Sequence, residues 1–425
     1  MPQTSLAYRI LANIAVPAVP LLLRDQRQHG AHRARLKVPA LAEEWARTHR
    51  DRARPLIWFH APSVGEGLQA RAVLRAVKAG LPEAQYVYTH YSPSAEEFAS
   101  TTGADWSGYL GYDRRRDVER MLDAIAPDVL VFTKLDLWPE LAVRASARGC
   151  KVAMVAATVS AESGRLGWPA RGLTAPGYAV IDQAGAISNE DADRLARLGC
   201  VRERITVTGD PRVDSVLQVA DNNPPPRVPA MIVAGSTWSE DQTVVLGAFE
   251  LVRDRHPEAR LLIAPHDPTA GHLQRVSAEA RELGLPQPVR ISKVTAGEWP
   301  DITVVDRVGL LARLYAHGVI AYVGGGWGKN GIHSVLEPAA WGCPVVIGPN
   351  DRASRDALLL ERAGALRRLA EPASFKELAA LWNEWLDAPA ETAKMGDAAR
   401  AALESERGAA EKSAAIVVGL VKGER

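Results

Sequence analysis

Between residues 55 and 350, short apolar runs alternate with helical stretches in two series that a triple proline separates. That alternation restricts the fold more than any other feature. Runs that are apolar at nearly every position suit strands covered on both faces, as in a parallel sheet with helices on either side. The first series predicts strands at Leu56–His60, Tyr86–His90, Val129–Thr133, Val152–Ala157 and Ile205–Thr208, with another ending near Ala186–Ser188. Its helices are expected at Glu66–Lys78, Leu137–Ala147 and Glu190–Leu198. The second series predicts strands at Met231–Ala234, Leu261–Ala264, Ile302–Val305, Val319–Val323 and Pro344–Ile347, with helices at Asp241–Arg255, Thr269–Leu283 and Leu310–Ala316. Between the series, Ala220–Pro229 (ADNNPPPRVP) can be neither helix nor central strand. The expected fold class is α/β, with two doubly wound Rossmann-like domains facing a central cleft.

The boundaries expected on this reading are an N-terminal apolar segment with a basic flank at 1–37, a first domain at 38–219 and a hinge at 220–229. A second domain follows at 230–390, then a C-terminal helix at 391–425, rich in alanine and charge. The 425 residues suit two domains rather than one core. Lysine plus arginine (51) and aspartate plus glutamate (50) nearly cancel, so no bulk field favours nucleic acid as a partner. Cys150, Cys200 and Cys343 form neither a disulfide framework nor a zinc pattern and read as small core residues in a reducing compartment. No His, Cys, Asp or Glu cluster has metal-ligand spacing, so no metal is expected.

The N-terminus departs from this soluble pattern. Ile10–Leu23 is apolar apart from Asn13 and carries Pro17 and Pro20. It falls short of the about 20 residues needed to span a bilayer. Arg24, Arg27, His29, His32, Arg33, Arg35 and Lys37 follow at once. An apolar segment with a basic flank suits an interfacial anchor on the cytoplasmic face of a membrane. A buried helix with a solvated basic face is the other reading.

Three capping-box spacings fall where strands give way to helices: Ser63 with Glu66, Thr237 with Glu240, and Ser334 with Glu337. Each is either a cap or part of a site. Glu66, beside Ser63 and Gly65, is a candidate general base, although a helix N-terminus lowers a carboxylate's pKa, which burial against the acceptor or neighbouring carboxylates would have to raise again. Gly235, Ser236 and Thr237 leave small residues before a helix start, where N–H groups meet phosphate. His266, on the loop after the next strand, is a candidate donor to phosphate or sugar, and Asp306–Arg307 a candidate lining for a base pocket. Gly324, Gly325 and Gly326 end a strand and either admit a ligand where no Cβ would fit or pack helix on sheet. Lys329 is a candidate for leaving-group charge, and Glu337 for two ribose hydroxyls.

Together these segments resemble the 3-deoxy-D-manno-octulosonic acid (Kdo) transferases, lipid A glycosyltransferases of GT-B fold. His60–Gly67 (HAPSVGEG) is similar to the family's H-A-x-S-x-G-E, Asp136–Glu140 (DLWPE) to its E-x-W-P, and Val207–Asp214 (VTGDPRVD) to its V-T-G-N-x-K-x-D. Gly235–Glu240, Leu262–Asp267 and Gly324–Pro349 resemble its G-S-T, P-R-H-P and G-G-H-N-x-L-E-P-A segments. The departures are Ser334 for Asn, His266–Asp267 for Arg-His, Lys134 for Glu and Asp210 for Asn. The resemblance implies inverting transfer of Kdo from CMP-Kdo to a lipid A precursor in lipopolysaccharide biosynthesis, at the cytoplasmic side of the inner membrane and without a cofactor. It implies Glu66 as catalytic base. Donor contacts would come from Gly235, Ser236, Thr237, His266, Gly324–Gly326, Lys329, Ser334 and Glu337, and acceptor contacts from Ser63, Gly65, Arg33 and Arg35. The alternatives are a nucleotide-sugar 2-epimerase of similar two-domain fold and a non-catalytic nucleotide-sugar- or lipid-binding relative.

Overall fold

A computed structural model describes residues 3–222, 224–295, 297–329, 331–351, 354–371 and 374–423. Asn223 of the expected hinge lies outside them. The chain folds as two compact units, Met1–Ser215 with Gly408–Arg425, and Val216–Arg407. Each is built on one fully parallel seven-stranded sheet.

In the first unit the strands are β1 (Leu56–His60), β2 (Gln85–His90), β3 (Trp106–Tyr109), β4 (Val129–Thr133), β5 (Lys151–Ala157), β6 (Gln183–Ala186) and β7 (Ile205–Val207). Their spatial order is β3-β2-β1-β4-β5-β6-β7. Chain order reverses between β1 and β4, where His60 stands beside Phe132. Trp58, Leu130 and Met154 pack into one core and Ile57, Val131 and Val155 into another, with alternate side chains pointing to opposite faces. Both faces are therefore apolar, which is why these strands read as unbroken hydrophobic runs.

The second unit repeats the plan with β8 (Met231–Thr237), β9 (Arg260–Pro265), β10 (Val289–Arg290), β11 (Ile302–Val304), β12 (Ile320–Val323), β13 (Val345–Ile347) and β14 (Leu366–Arg368). Their order is β10-β11-β9-β8-β12-β13-β14, and the reversal falls between β8 and β12. In doubly wound sheets ligands bind beyond the carboxyl ends of strands at such a reversal. Ser63–Glu66 follows β1, Lys134–Asp136 follows β4, Ser236–Thr237 ends β8, and Gly324–Gly326 follows β12.

Three helices complete what positions the first site. α1 (Leu6–Leu22) contains Pro17 and Pro20 and buries only Val16. The buried-helix alternative for the N-terminus is thus excluded: Leu6, Ile10, Ile14, Leu21 and Leu22 are all exposed. Among the described residues no helix is long and apolar enough to cross a membrane. Tyr8 ties α1 down by donating to Asp113 (2.6 Å). α2 (Gln26–His49) lies against the helix Arg115–Ile125 and buries Ala31, Val38, Ala42 and Trp45. α3 (Val64–Gly80) follows β1.

The tail corrects the expectation of a single helix over 391–425. Two helices, Pro389–Glu404 and Ala409–Lys422, are broken at Gly408, whose φ is +96°. The second packs on α3, and its Ala414 and Val417 join the core of the first unit. Asp214 caps it, accepting from the N–H groups of Gly408 and Ala410 (both 2.7 Å). Buried Asp210 of the same motif accepts from Gln69 of α3 (2.9 Å) and pairs with Arg212. Burial pushes the Asp210 carboxyl up, but Arg212 and Gln69 together bring it below the usual range. Aspartate at 210, where the resembled motif has asparagine, is thus held as the ion-pair partner of Arg212. The three cysteines are free and buried.

Candidate functional site

At the reversal point of the first sheet, Ser63 is the N-cap of α3, in extended conformation, yet its hydroxyl caps no backbone N–H. It donates instead to Glu66 Oε2. The other oxygen, Oε1, accepts from Lys134 Nζ at 3.0 Å. Burial pushes the Glu66 carboxyl up, but the Ser63 hydroxyl, the Lys134 ammonium and its own backbone N–H outweigh it and hold the group below its ordinary value. The contest that the sequence leaves open therefore falls on the lowering side. Glu66 is ionised at neutral pH, able to take a proton but a weakened base.

Lys134 has φ +62° and its N–H is fixed to the carbonyl of Val155 (2.9 Å). A left-handed residue with a Cβ costs roughly 1–2 kcal/mol. The Lys134 side chain is 43% exposed, and half-exposed ion pairs give back about 0–1 kcal/mol. Two residues on, Asp136 accepts from His60 (2.9 Å) and from the Trp138 indole (3.1 Å). Burial raises the Asp136 carboxyl, and the His60 and Trp138 bonds more than reverse that. The other nitrogen of wholly buried His60 lies 3.0 Å from the Thr89 hydroxyl. This Thr89–His60–Asp136 chain fixes the loop from which Lys134 reaches Glu66.

The acceptor candidates divide. Gly65 and Arg33 are exposed, and Ser63 is held by Glu66. Arg35 is not a free clamp: it is 6% exposed, lies 3.8 Å over the Tyr91 ring and donates to the Tyr91 carbonyl. Its charge is spent inside the fold.

In the second unit, the residue that organises the reversal point is Asp241, which the sequence reading passed over. Its carboxylate accepts from Trp238 N (2.8 Å) and Gly325 N (2.9 Å) through Oδ2, and from the Tyr322 hydroxyl (2.7 Å) through Oδ1. The helix Ser239–Arg255 is therefore capped from Trp238 and Asp241, not from Thr237 and Glu240. Thr237 is buried and donates to the Ala264 carbonyl (3.3 Å), which removes it from the donor contacts. Burial raises the Asp241 carboxyl, and the two backbone N–H groups and Tyr322 only partly offset this.

Packing accounts for the glycines. A Cβ on Gly235 would strike the Tyr315 hydroxyl, one on Gly324 would stand 2.5 Å from the Ser236 carbonyl, and one on Gly326 2.6 Å from Gly348 Cα. Gly325 takes φ +97° under Gly331. Its N–H goes to Asp241 and that of Gly324 to Gly235 (2.9 Å), so neither is left for a phosphate.

A pocket at the same edge is lined by Ser236, His266, Val305, Arg307, Leu311 and Glu337. Arg307 lines it, whereas Asp306 turns to the Ser292 hydroxyl (2.6 Å). Ser236 has φ +53° at a register shift between β8 and β9. Such a shift re-aims a side chain at a strand end. Ser334 caps nothing: the helix that follows is Leu336–Ala340, its N-cap is Val335, and Glu337 stands in its first turn. Burial alone pushes the Glu337 carboxyl up. The His266 ring stacks on both Trp238 (4.6 Å) and His333 (4.3 Å), which also meet each other. Lys329 is exposed on the loop after the glycines.

Residues 37–215 match the family model of 3-deoxy-D-manno-octulosonic-acid transferase (kdotransferase). A protein of Bordetella pertussis named 3-deoxy-D-manno-octulosonic acid transferase is 28% identical over 383 residues, 84% of this chain and 85% of that protein. One of the same name from Aquifex aeolicus is 25% identical over 316 residues, 73% of this chain and 80% of that one. In fold, the chain is similar to a UDP-N-acetylglucosamine 2-epimerase, with a TM-score of 0.60 at 15% identity over 86% of this chain and 94% of that one. It is also similar to a glycosyltransferase of Rickettsia africae, with a TM-score of 0.56 at 12% identity over 88% of this chain and all of that one. At such identities the structural likenesses speak for the fold alone.

Proposed function

We propose that this chain is a glycosyltransferase of the Kdo transferase family and moves Kdo from CMP-Kdo to a hydroxyl of a lipid A precursor, a reading that the family-model match and the similar Kdo transferases support. Glu66 takes the acceptor proton as the bond from the anomeric carbon to phosphate breaks, and the hydroxyl oxygen attacks from the opposite face with inversion. The observation that carries the reading is Glu66 itself. It is a partly buried carboxylate, ionised at neutral pH, just past the end of β1 at the reversal point of the sheet, within the segment that matches the family model.

In the donor half, the carboxylate of Glu337 accepts the two ribose hydroxyls of the cytidine, which supply the hydrogen bonds that its burial calls for. Ser236, His266 and Lys329, with the N-terminal dipole of the helix Ser239–Arg255, meet the charge of the departing phosphate. Asp241 acts indirectly by holding Gly325 and Trp238 in place. At the membrane, the exposed apolar face of α1 lies in the cytoplasmic leaflet, with Arg24 and Arg33 nearby for anionic phosphate.

The test is the mass of the product after incubation with CMP-Kdo and a tetraacylated, bisphosphorylated lipid A precursor. We expect the acceptor mass plus one or more Kdo residues. An unchanged acceptor, with a UDP-sugar converted to its 2-epimer in a parallel incubation, would replace this reading with the epimerase one.

A further inference from the structure

Lys134 is poorly explained as a stabilising residue. Its side chain is nearly half exposed, its partner is a carboxylate 3.0 Å away, and its backbone is left-handed. Such an ion pair stabilises little, while a Cβ in that region costs at least as much. Strain of this kind, held in place by the Val155 carbonyl and the His60–Asp136 contact, points to a functional demand. The chemistry sharpens the point. An ammonium on Oε1 and a hydroxyl on Oε2 occupy both oxygens of the proposed base and weaken it. The other titratable group facing Glu66 is Tyr88 on β2, whose phenol is buried and whose own pKa is raised. Ser63 also lowers Glu66, but Lys134 is the charged neighbour on an exposed side chain, and its departure would raise the basicity of Glu66.

We propose that Lys134 binds an oxyanion of the substrates, and that in taking this anion its ammonium leaves Glu66 and frees it to act as base. The proposal rests on the transfer reading above. Two sources carry the right group: the carboxylate on the anomeric carbon of Kdo and a phosphate of the lipid acceptor. The ion pair would thus keep the carboxylate occupied until a substrate anion arrives.

Steady-state kinetics with CMP-Kdo and the lipid A precursor test this in the full-length protein and in Lys134→Met, Lys134→Arg and Lys134→Gly. The glycine variant removes the charge while relieving the left-handed backbone, so it guards against misfolding. In both uncharged variants we expect KM to rise at least tenfold for one substrate. A rise for CMP-Kdo assigns the anion to the sugar carboxylate, and a rise for the acceptor assigns it to a phosphate. The acid limb of kcat/KM should move to higher pH, because free Glu66 loses the ammonium that lowers it, and Lys134→Arg should restore KM. Both Michaelis constants within twofold of wild type would overturn the proposal, whatever the pH limb does. A wild-type protein that transfers nothing would sink the underlying function instead, and Lys134's role with it.

Discussion

His333 accepts a hydrogen bond from the Trp238 indole at 3.1 Å, and an accepting imidazole nitrogen must be unprotonated. Burial, with His266 stacked against it, lowers its pKa to about 4. An unfolded histidine titrates near about 6.5. A depressed folded pKa gives stability that is present in full above the unfolded value and is lost as pH falls through the folded one. The second unit should therefore lose stability between about pH 6.5 and 4 through this residue. Melting curves across that range should show a steeper decline for wild type than for His333→Phe, and parallel declines would remove His333 as the cause. The sequence put His266 among the candidates but not the stack around it. Trp238, His266 and His333 are brought together only by folding, from three separate segments.

At the scale of elements, α1 presents Leu6, Ile10, Ile14 and Leu21 along one side, spaced as one helical stripe, with Leu11 and Leu22 beside them, all exposed. Moving one such side chain from water into an apolar phase is worth about 1.5–3 kcal/mol. Exchanging Ile10 and Ile14 for aspartate should therefore weaken binding to anionic vesicles at least tenfold, read by co-sedimentation, while the fold stays intact because neither side chain is buried. Unchanged sedimentation would show that α1 is not what meets the membrane. The central strands were legible because their runs are apolar on both faces. Of the four edge strands only β7 was read; β3 (WSGY) is mostly half exposed, β14 (LRR) buries Leu366 alone, and β10 has two residues. Without a two-sided core the hydrophobic pattern thins out. In the same way Glu66, Ser236 and Glu337 were legible from their places after strands. Lys134 as the partner of Glu66 was not, because the pair is separated by 68 residues. Asp241 was hidden because Thr237 and Glu240 offered the better cap spacing.

Across the whole molecule, the two sheets repeat one plan, and the last helix returns to the first unit. Composition alone did not reveal that return. It depends on the carboxylate of Asp214 and on the turn at Gly408, more than 190 residues apart in the chain. The assignment of function depends on Glu66 being the group that takes the acceptor proton. Turnover of CMP-Kdo on the lipid A precursor, measured beside calorimetric CMP-Kdo binding in wild type and Glu66→Gln, tests this most directly. The amide cannot accept the proton, so we expect kcat to fall by about 10²–10⁴-fold while the dissociation constant for CMP-Kdo stays within twofold. Turnover within tenfold of wild type would contradict the account and leave the base unassigned.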